Sequence, residues 1–319
     1  MNNDKLAKER QYQMSKVDRM TIEGKKILQN VIFNRDKSEG GFSMETVGPQ
    51  GSGKTSLDLH IIDKTIEKFR DELLFFRDST ESPVQFNRID KWHIYGQEGM
   101  KLKFRDYDTN KYFNQPVTYF TSFDDIYENA EPGIANVIYF IREHTWIDFL
   151  NYLRRHMHRG SGWKTVFLEE YEDIAPQYAK STGWKKNQLY SKNAKNIRKG
   201  LVNTLANTQN KSDVSYFIRT KLMIRSYLRG AKVDDISPIQ QKAVDKLKMG
   251  EALIDYGTNF GKITFDPYRP KQIFEVEKVI EIEIVDEEEQ AAEKYKNKIK
   301  KLERKLRDFE EIMDRLDIA

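Results

Sequence analysis

The sequence GPQGSGKT, at residues 48–55, constrains the fold of this chain more than any other segment. It fits the pattern G-x-x-x-x-G-K-[S/T], which forms a phosphate-binding loop, or P-loop, between a strand and a helix. The flanking residues supply both elements, because 43–47 predicts a short strand and 56–69 predicts a helix. The segment therefore predicts an α/β fold with a phosphate site at the end of a strand.

Each part of this loop suits the binding of a chain of phosphates. Glycines let the backbone bend tightly and bring its N–H groups close to phosphate oxygens, and the positive end of the following helix faces the same oxygens. Lys54 supplies a cation for the β- and γ-phosphates, and the Thr55 hydroxyl is suited to bind Mg²⁺. We therefore predict a site for ATP and Mg²⁺. Its binding residues are Gly48, Pro49, Gln50, Gly51, Ser52, Gly53, Lys54, Thr55 and Ser56.

Two adjacent carboxylates follow another apolar segment and provide the second half of a hydrolysis site. The segment KTVFL, at 164–168, predicts a buried strand that ends in Glu169 and Glu170. A P-loop ATPase needs one carboxylate in the metal shell and another that orients and deprotonates the attacking water. We assign Glu169 to the metal and Glu170 to the base. The alternative is a strand that runs into an acidic surface turn, since two further acidic residues follow closely.

A third strand, predicted over 200–209, ends in Gln209. An amide at a strand end beside the P-loop could contact the γ-phosphate or the attacking water. The segment 180–199 before this strand is the most basic of the chain and contains Trp184 and Tyr190. It predicts either a loop that neutralises phosphates and stacks on bases or sugars, or a solvated loop that leads into a helix.

Composition excludes several other classes of protein. No apolar run has membrane-spanning length, and the polar N-terminus contains no apolar signal core, so we expect a cytoplasmic protein without a membrane span. The chain has no cysteine, which excludes disulfides and thiolate metal sites. Its net charge of +4 is too small to indicate nucleic-acid binding by itself.

The 319 residues suffice for one large α/β domain with appendages. We predict a helical arm over 1–40 and an ATPase domain over 41–270. Within that domain, alternating aromatic and charged residues predict a small antiparallel β insertion at about 90–122. Residues 271–319 begin as a charged linker and end in about three heptads, which predict a C-terminal coiled-coil helix. This helix would dimerise, bind a protein partner or fold back on its own domain.

Three stretches of the chain together resemble the HerA/FtsK superfamily of hexameric DNA-pumping ATPases. They are the P-loop, the segment FLEEYEDIAP at 167–176, and the segment from Arg198 through the strand to Gln209, which is similar to the family's "RK-G-strand-ATQ". A weaker fourth match, GEALI at 250–254, is similar to the family's "GEA" strand and closing hairpin. The order of the motifs agrees over roughly 43–267. The chain also resembles small ATPases of archaeal viruses and plasmids.

The resemblance implies a RecA-like core in which the acidic-pair strand and the glutamine strand lie near the P-loop strand. It also implies a ring of six subunits, with DNA as partner and with an arginine finger from the neighbouring subunit. Arg198 matches the family's basic residue before the glutamine strand, and Arg219 and Arg225 are rivals. The family usually has aspartate where this chain has Glu169. The implied functional residues are Lys54, Thr55, Glu169, Glu170 and Gln209.

The leading hypothesis is a Mg²⁺-dependent ATP hydrolase that assembles as a ring and moves DNA, as packaging or transfer motors do. A nucleotide-dependent switch or assembly protein with little hydrolysis is the alternative. The acidic pair argues against this alternative, because a protein that only binds nucleotide needs no base. A small-molecule kinase is a third hypothesis. The sequence does not favour it, because it contains no evident acceptor pocket or lid motif.

Overall fold

The structure, a computed structural model, describes residues 24–79, 86–89, 91–156, 162–178, 181–232, 238–257, 259–266 and 273–281. The first part of the predicted N-terminal arm and the predicted C-terminal coiled coil lie outside these ranges. A π-helical segment, Leu28–Phe33, precedes the first strand. The α-helices are α1 Lys54–Lys68, α2 Phe123–Asn129, α3 Thr145–Leu153, α4 Tyr171–Ile174, α5 Ser181–Lys199, α6 Tyr216–Arg219 and α7 Pro238–Asp245.

A ten-stranded sheet forms the centre of the fold, in the order β12-β11-β10-β1-β9-β8-β2-β7-β3-β6. From β10 to β6 every neighbouring pair is parallel, and β11 and β12 close one edge as an antiparallel hairpin. Its strands are β1 Ser43–Val47, β2 Leu73–Arg77, β3 Trp92–Gln97, β6 Thr118–Phe120, β7 Ala135–Tyr139, β8 Lys164–Leu168, β9 Val202–Thr208, β10 Ile224–Leu228, β11 Glu251–Tyr256 and β12 Asn259–Thr264. The predicted α/β, RecA-like core is confirmed by this sheet.

The central strands are buried along their whole length. β2 and β7 are mainly apolar, as strands covered on both faces usually are, whereas β1, β8 and β9 also bury polar residues such as Glu45, Lys164 and Asn203. Helix α1 covers one face and packs Leu57, Ile61 and Ile62 into a cluster with β1 and β2 residues. Helices α3 and α5 cover the other face, where Phe149 and Ile197 belong to a second cluster. Because helices cover both faces of the sheet, a ligand can approach the central strands only at their ends, where the loops lie.

The predicted antiparallel β insertion at 90–122 is only partly present. Strands β3 and β6 extend the main sheet in parallel pairing. Only β4 Met100–Asp106 and β5 Tyr112–Phe113 are antiparallel, and they form a separate three-stranded sheet with β13, Phe274–Ile280. Alternating residues predicted half-buried strands throughout, but the centre of β3 is buried because Ile94 packs into the core cluster on one face of the sheet and Tyr95 into the cluster on the other. Residues 274–280, which we had assigned to the charged linker, pair with β4.

The basic segment 180–199 is also different from the prediction, because residues 181–199 form helix α5 rather than a loop. Its buried positions, Asn187, Tyr190, Ala194 and Ile197, recur at helical spacing and face the core. Tyr190 is 2% exposed, so the predicted stacking of this ring on a base or sugar is wrong. Because the segment is so rich in lysine, the helical spacing of its few buried positions was not recognised in the sequence.

The topology brings four strand ends together at one edge of the sheet. Because β1, β9, β8 and β2 are adjacent and parallel, the segments that follow their carboxyl ends meet there. In open parallel sheets this edge is where ligands bind. Within the described residues, no helix combines the length and the apolar composition that crossing a bilayer requires.

Candidate nucleotide-binding site

The P-loop connects the end of β1 to the start of α1 and depends on two of its glycines. Gly53 has φ +98°, a left-handed conformation that residues with a Cβ rarely adopt. At Gly48 a Cβ would lie 2.5 Å from Ser52 Oγ and 3.1 Å from Leu228 Cβ, so a larger residue would push the loop open. The Gly48 N–H donates to the Thr208 carbonyl at 3.3 Å, which holds the loop beside the end of β9.

Lys54 lies inside the curve of this loop. Its Nζ donates to the carbonyl oxygens of Gly48 at 2.8 Å and Pro49 at 3.3 Å. Burial lowers the pKa of Lys54, and the carboxylates of Glu172, Glu170, Glu169 and Asp58 oppose this effect. A cation on a flexible stem, held at the mouth of the loop beside these carboxylates, is placed to bind a phosphate oxygen.

Glu169 contacts the P-loop helix directly. Thr55 Oγ1 donates to Glu169 Oε1 at 3.0 Å, and the Ser79 backbone N–H donates to Glu169 Oε2 at 3.1 Å. The side chain is 4% exposed, and burial raises its pKa. Mg²⁺ usually keeps several water ligands and takes others from phosphates, so it needs only one or two ligands from the protein. A hydroxyl and a carboxylate at hydrogen-bond distance can supply these. Thr55 and Glu169 therefore fit the ion, although the described residues contain no group of three or more acidic, His or Cys ligands suited to a metal.

Glu170 occupies an unusual backbone position. Its φ is +46°, in the left-handed region where non-glycine residues are uncommon. The Glu170 N–H donates to Asn207 Oδ1 at 2.9 Å, and the Ser79 hydroxyl donates to Glu170 Oε2. This geometry brings both carboxylates to Ser79, which donates its backbone N–H to Glu169 and its hydroxyl to Glu170, while Glu169 also accepts from Thr55.

Arg77, at the end of β2, binds the backbone of the acidic pair. Its Nη1 donates to the carbonyl oxygens of both Glu169 and Glu170. Its Nη2 bonds Asp173 Oδ2 at 3.1 Å, and its Nε bonds Glu143 Oε2 at 2.9 Å. The Arg77 side chain is only 5% exposed. This guanidinium thus fixes the turn that carries both carboxylates.

A second buried network joins α1, β1 and β9 behind the P-loop. Asp58 Oδ1 accepts from Thr46 Oγ1 at 2.7 Å, and Asp58 Oδ2 accepts from Asn207 Nδ2 at 3.4 Å. Burial raises the pKa of Asp58 to about 7. Asn207 therefore contacts both this carboxyl group and the Glu170 backbone, which links the P-loop helix to the acidic pair.

Gln209 follows β9 directly and is exposed. Its backbone N–H donates to Glu172 Oε1 at 3.0 Å, which ties the end of β9 to the turn after the acidic pair. The structure thus brings Gln209 to the same edge of the sheet as Lys54 and Glu170.

Arg198 is not at this edge. It lies in the last turn of α5, and its carbonyl accepts from the Gly41 N–H at 2.7 Å, ahead of β1. The seven residues of β9 separate this region from the P-loop by roughly 20 Å. Arg219, in α6, has its Nη1 3.3 Å from the Lys211 carbonyl, and Arg225 lies within β10, paired in register with Glu45. Arg198 is therefore too distant to contact a phosphate bound at the P-loop of its own chain.

Sequence reasoning missed Ser79, Arg77, Asp58, Asn207 and Glu172. Arg77 and Ser79 had one available signal, because they stand at the carboxyl end of a predicted buried strand, where parallel sheets place functional groups. Asp58 and Asn207 lie inside a helix and a strand, and their pairing requires the fold.

No family model and no curated protein matches the chain. Solved structures are similar to it. A genome packaging NTPase, B204 of Sulfolobus turreted icosahedral virus 2 in complex with AMPPCP, has 13% identity over 71% of this chain and 98% of its own, with a TM-score of 0.49. VirB4 of Thermoanaerobacter pseudethanolicus has 10% identity over 70% and 89%, with a TM-score of 0.46. The conjugation coupling protein TcpA of pCW3, with ATPγS, has 14% identity over 72% and 61%, with a TM-score of 0.43.

Proposed function

We propose that this chain is a Mg²⁺-dependent ATPase that acts as a motor on DNA within an oligomeric ring. The observation that carries the proposal is the hydrogen bond of 3.0 Å between Thr55 of the P-loop and Glu169, with Glu170 as the next residue. A site that only bound nucleotide would need the P-loop but not a second carboxylate beside it.

The residues divide the work of phosphoryl transfer to water. Water attacks the γ-phosphorus of ATP, the bond to the bridging oxygen breaks, and ADP leaves with that oxygen. Mg²⁺, when bound, would neutralise charge on the phosphates. Lys54 leaves the Gly48 and Pro49 carbonyls to contact the β- and γ-phosphates. Thr55 and Glu169 hold the metal shell. Glu170 accepts a proton from water as the water attacks.

Two further groups complete the proposed reaction. Gln209, at the end of β9, orients the attacking water through its amide. An arginine of a neighbouring subunit stabilises charge on the transferred phosphoryl group, as arginine fingers do in related chemistry. Arg198 and Arg219 are both candidates for this role. The ring is proposed from the resemblance of the sequence motifs to hexameric ATPases. Because Arg198 lies at the far end of β9 from the P-loop of its own chain, it would act from another subunit.

The proposal is tested by measuring phosphate release from ATP with and without duplex DNA. The wild-type protein is expected to turn over ATP and to do so several-fold faster with DNA. Lys54→Ala is expected to lower turnover about 100-fold, because a cation aimed at the phosphates is lost. ATP binding with slow, DNA-independent turnover would contradict a motor and favour the nucleotide-dependent switch.

A further inference from the structure

Helix α5 carries an unusual distribution of charge for a helix on the surface of a sheet. Its 19 residues include six basic side chains and no acidic one. Exposed helices of soluble proteins ordinarily mix both signs, which stabilises the helix through pairs at i,i+4. The basic residues of α5 are Lys185, Lys186, Lys192, Lys195, Arg198 and Lys199.

Two of these six have partners within the chain. Lys186 Nζ forms an ion pair with Asp148 Oδ2 of α3 at 2.7 Å, and Arg198 packs on Met223. The other four, Lys185, Lys192, Lys195 and Lys199, are exposed, and none forms an ion pair with a carboxylate among the described residues. We call these four the α5 lysine face.

The four lysines line one side of the helix. Their spacings of seven, three and four residues place them within about a quarter turn of one another at 3.6 residues per turn. At 1.5 Å per residue the row is about 21 Å long. The opposite side of the helix carries the buried positions Asn187, Tyr190, Ala194 and Ile197. Because that side packs on the core, the row of lysines faces solvent.

A row of unpaired cations of this length fits an extended polyanion. One strand of a duplex places a phosphate every 3.4 Å along the axis, so about 21 Å spans roughly six of them. An anionic membrane surface is a poorer fit, because insertion needs an apolar face beside the lysines and the exposed side of α5 offers only Leu189 and Trp184. The favoured occupant is therefore a nucleic-acid phosphate backbone.

The helix is connected to the candidate hydrolysis site at its first turns. Asn187 Nδ2 donates to the Pro176 carbonyl at 3.4 Å, just beyond α4 and the acidic pair. Gln177 Oε1 accepts a hydrogen bond from the Tyr216 N–H at 2.8 Å, and the Gln177 N–H donates to the Asp213 carbonyl at 2.7 Å. Both partners lie in the segment after Gln209. A hydrogen bond thus joins α5 to the segment after the acidic pair, and that segment is in turn bonded to the residues that follow β9.

We propose that the α5 lysine face is the surface on which the phosphate backbone of DNA runs. This inference rests on the proposed function and assigns its DNA contact to a rigid helix face. Because the contact is with phosphates, it carries no sequence preference of its own and weakens steeply with salt.

The test compares a quadruple variant, Lys185→Gln, Lys192→Gln, Lys195→Gln and Lys199→Gln, with wild type by fluorescence anisotropy on a 30-base-pair duplex and a 30-nucleotide single strand. We expect affinity for the duplex to fall about 10- to 100-fold, and the slope of log K against log salt to become shallower by about 3. Loss on the duplex alone assigns the face to double-stranded DNA, and equal loss on both assigns it to the backbone of either form. ATP turnover without DNA should not change, which shows that the variant is folded.

A matched control removes four other exposed lysines, through Lys37→Gln, Lys101→Gln, Lys111→Gln and Lys246→Gln. This control should keep nearly wild-type affinity and slope. Equal loss in the control would overturn the inference, since net charge alone would then explain binding. Unchanged binding by the α5 variant would overturn it as well while leaving the motor proposal intact. If the wild-type protein bound neither DNA, the proposed function would fail too.

Discussion

Replacing Glu170 with glutamine is expected to lower ATP turnover by about 10²- to 10⁴-fold, the usual contribution of a general base. Glutamine has the same shape and can still accept the Ser79 hydroxyl, but its amide cannot take a proton from water. The nucleotide contacts of Lys54 and Thr55 remain, so affinity for ATP should change by less than a few-fold. The measurement is steady-state phosphate release together with the Kd for a fluorescent ATP analogue.

The control for this variant is Glu67→Gln on the same helix as Lys54. Glu67 pairs with Lys64 at 2.7 Å on the exposed side of α1, away from the P-loop. Glu67→Gln makes the same chemical change outside the site, so this variant should hydrolyse ATP at the wild-type rate. A Glu170→Gln protein that is as fast as wild type would remove Glu170 from the base role and return that role to another carboxylate of the turn.

Replacing Arg77 with methionine is expected to lower the free energy of unfolding by about 3 kcal/mol and to reduce turnover together with it. Methionine fills similar space but leaves the carbonyl oxygens of Glu169 and Glu170 without their buried donor. It also leaves Glu143 and Asp173 without their shared cation. The turn that holds Glu170 at positive φ would then relax toward ordinary backbone conformations.

Urea denaturation and phosphate release measure the two effects of Arg77→Met separately. The control is Arg105→Met, which breaks the more exposed pair with Glu275 on the three-stranded sheet and should leave the denaturation midpoint nearly unchanged. Glu143→Gln is a milder variant, because it removes one outer partner and keeps the contacts of Arg77 with the acidic pair. Wild-type stability and turnover in Arg77→Met would contradict the assigned positioning role.

The P-loop and the acidic pair were predictable because the residues of each lie next to one another in the sequence. GPQGSGKT combines glycines, a lysine and a threonine within eight residues, and few structures other than a P-loop use that order. The strand before Glu169 and Glu170 closes with the apolar residues at 166–168, a short run that sequence patterns identify well. The adjacency of this strand and the glutamine strand to the P-loop strand was an implication of the resemblance to HerA/FtsK ATPases, and the sheet order confirms it. The catalytic roles of these residues stay predictions until the variants above are measured.

The supporting residues were not predictable, because each acts across a large separation in sequence. Arg77 binds carbonyl groups more than 90 residues away, and Asn207 reaches Asp58 across 149 positions. A lone arginine or asparagine in a strand gives no local signal of its partner. The two errors in secondary structure have a related cause. The basic side chains of α5, and the charged residues that follow β3 at 98–106, masked the buried positions of both elements.

The most direct test of the central claim is displacement of a third DNA strand from a duplex, followed as release of a labelled triplex-forming oligonucleotide. A protein that converts ATP hydrolysis into movement along DNA should release the third strand at a rate that depends on ATP, and Glu170→Gln should release none. Hydrolysis of ATP at a DNA-stimulated rate without any release would contradict a motor and leave a DNA-dependent switch.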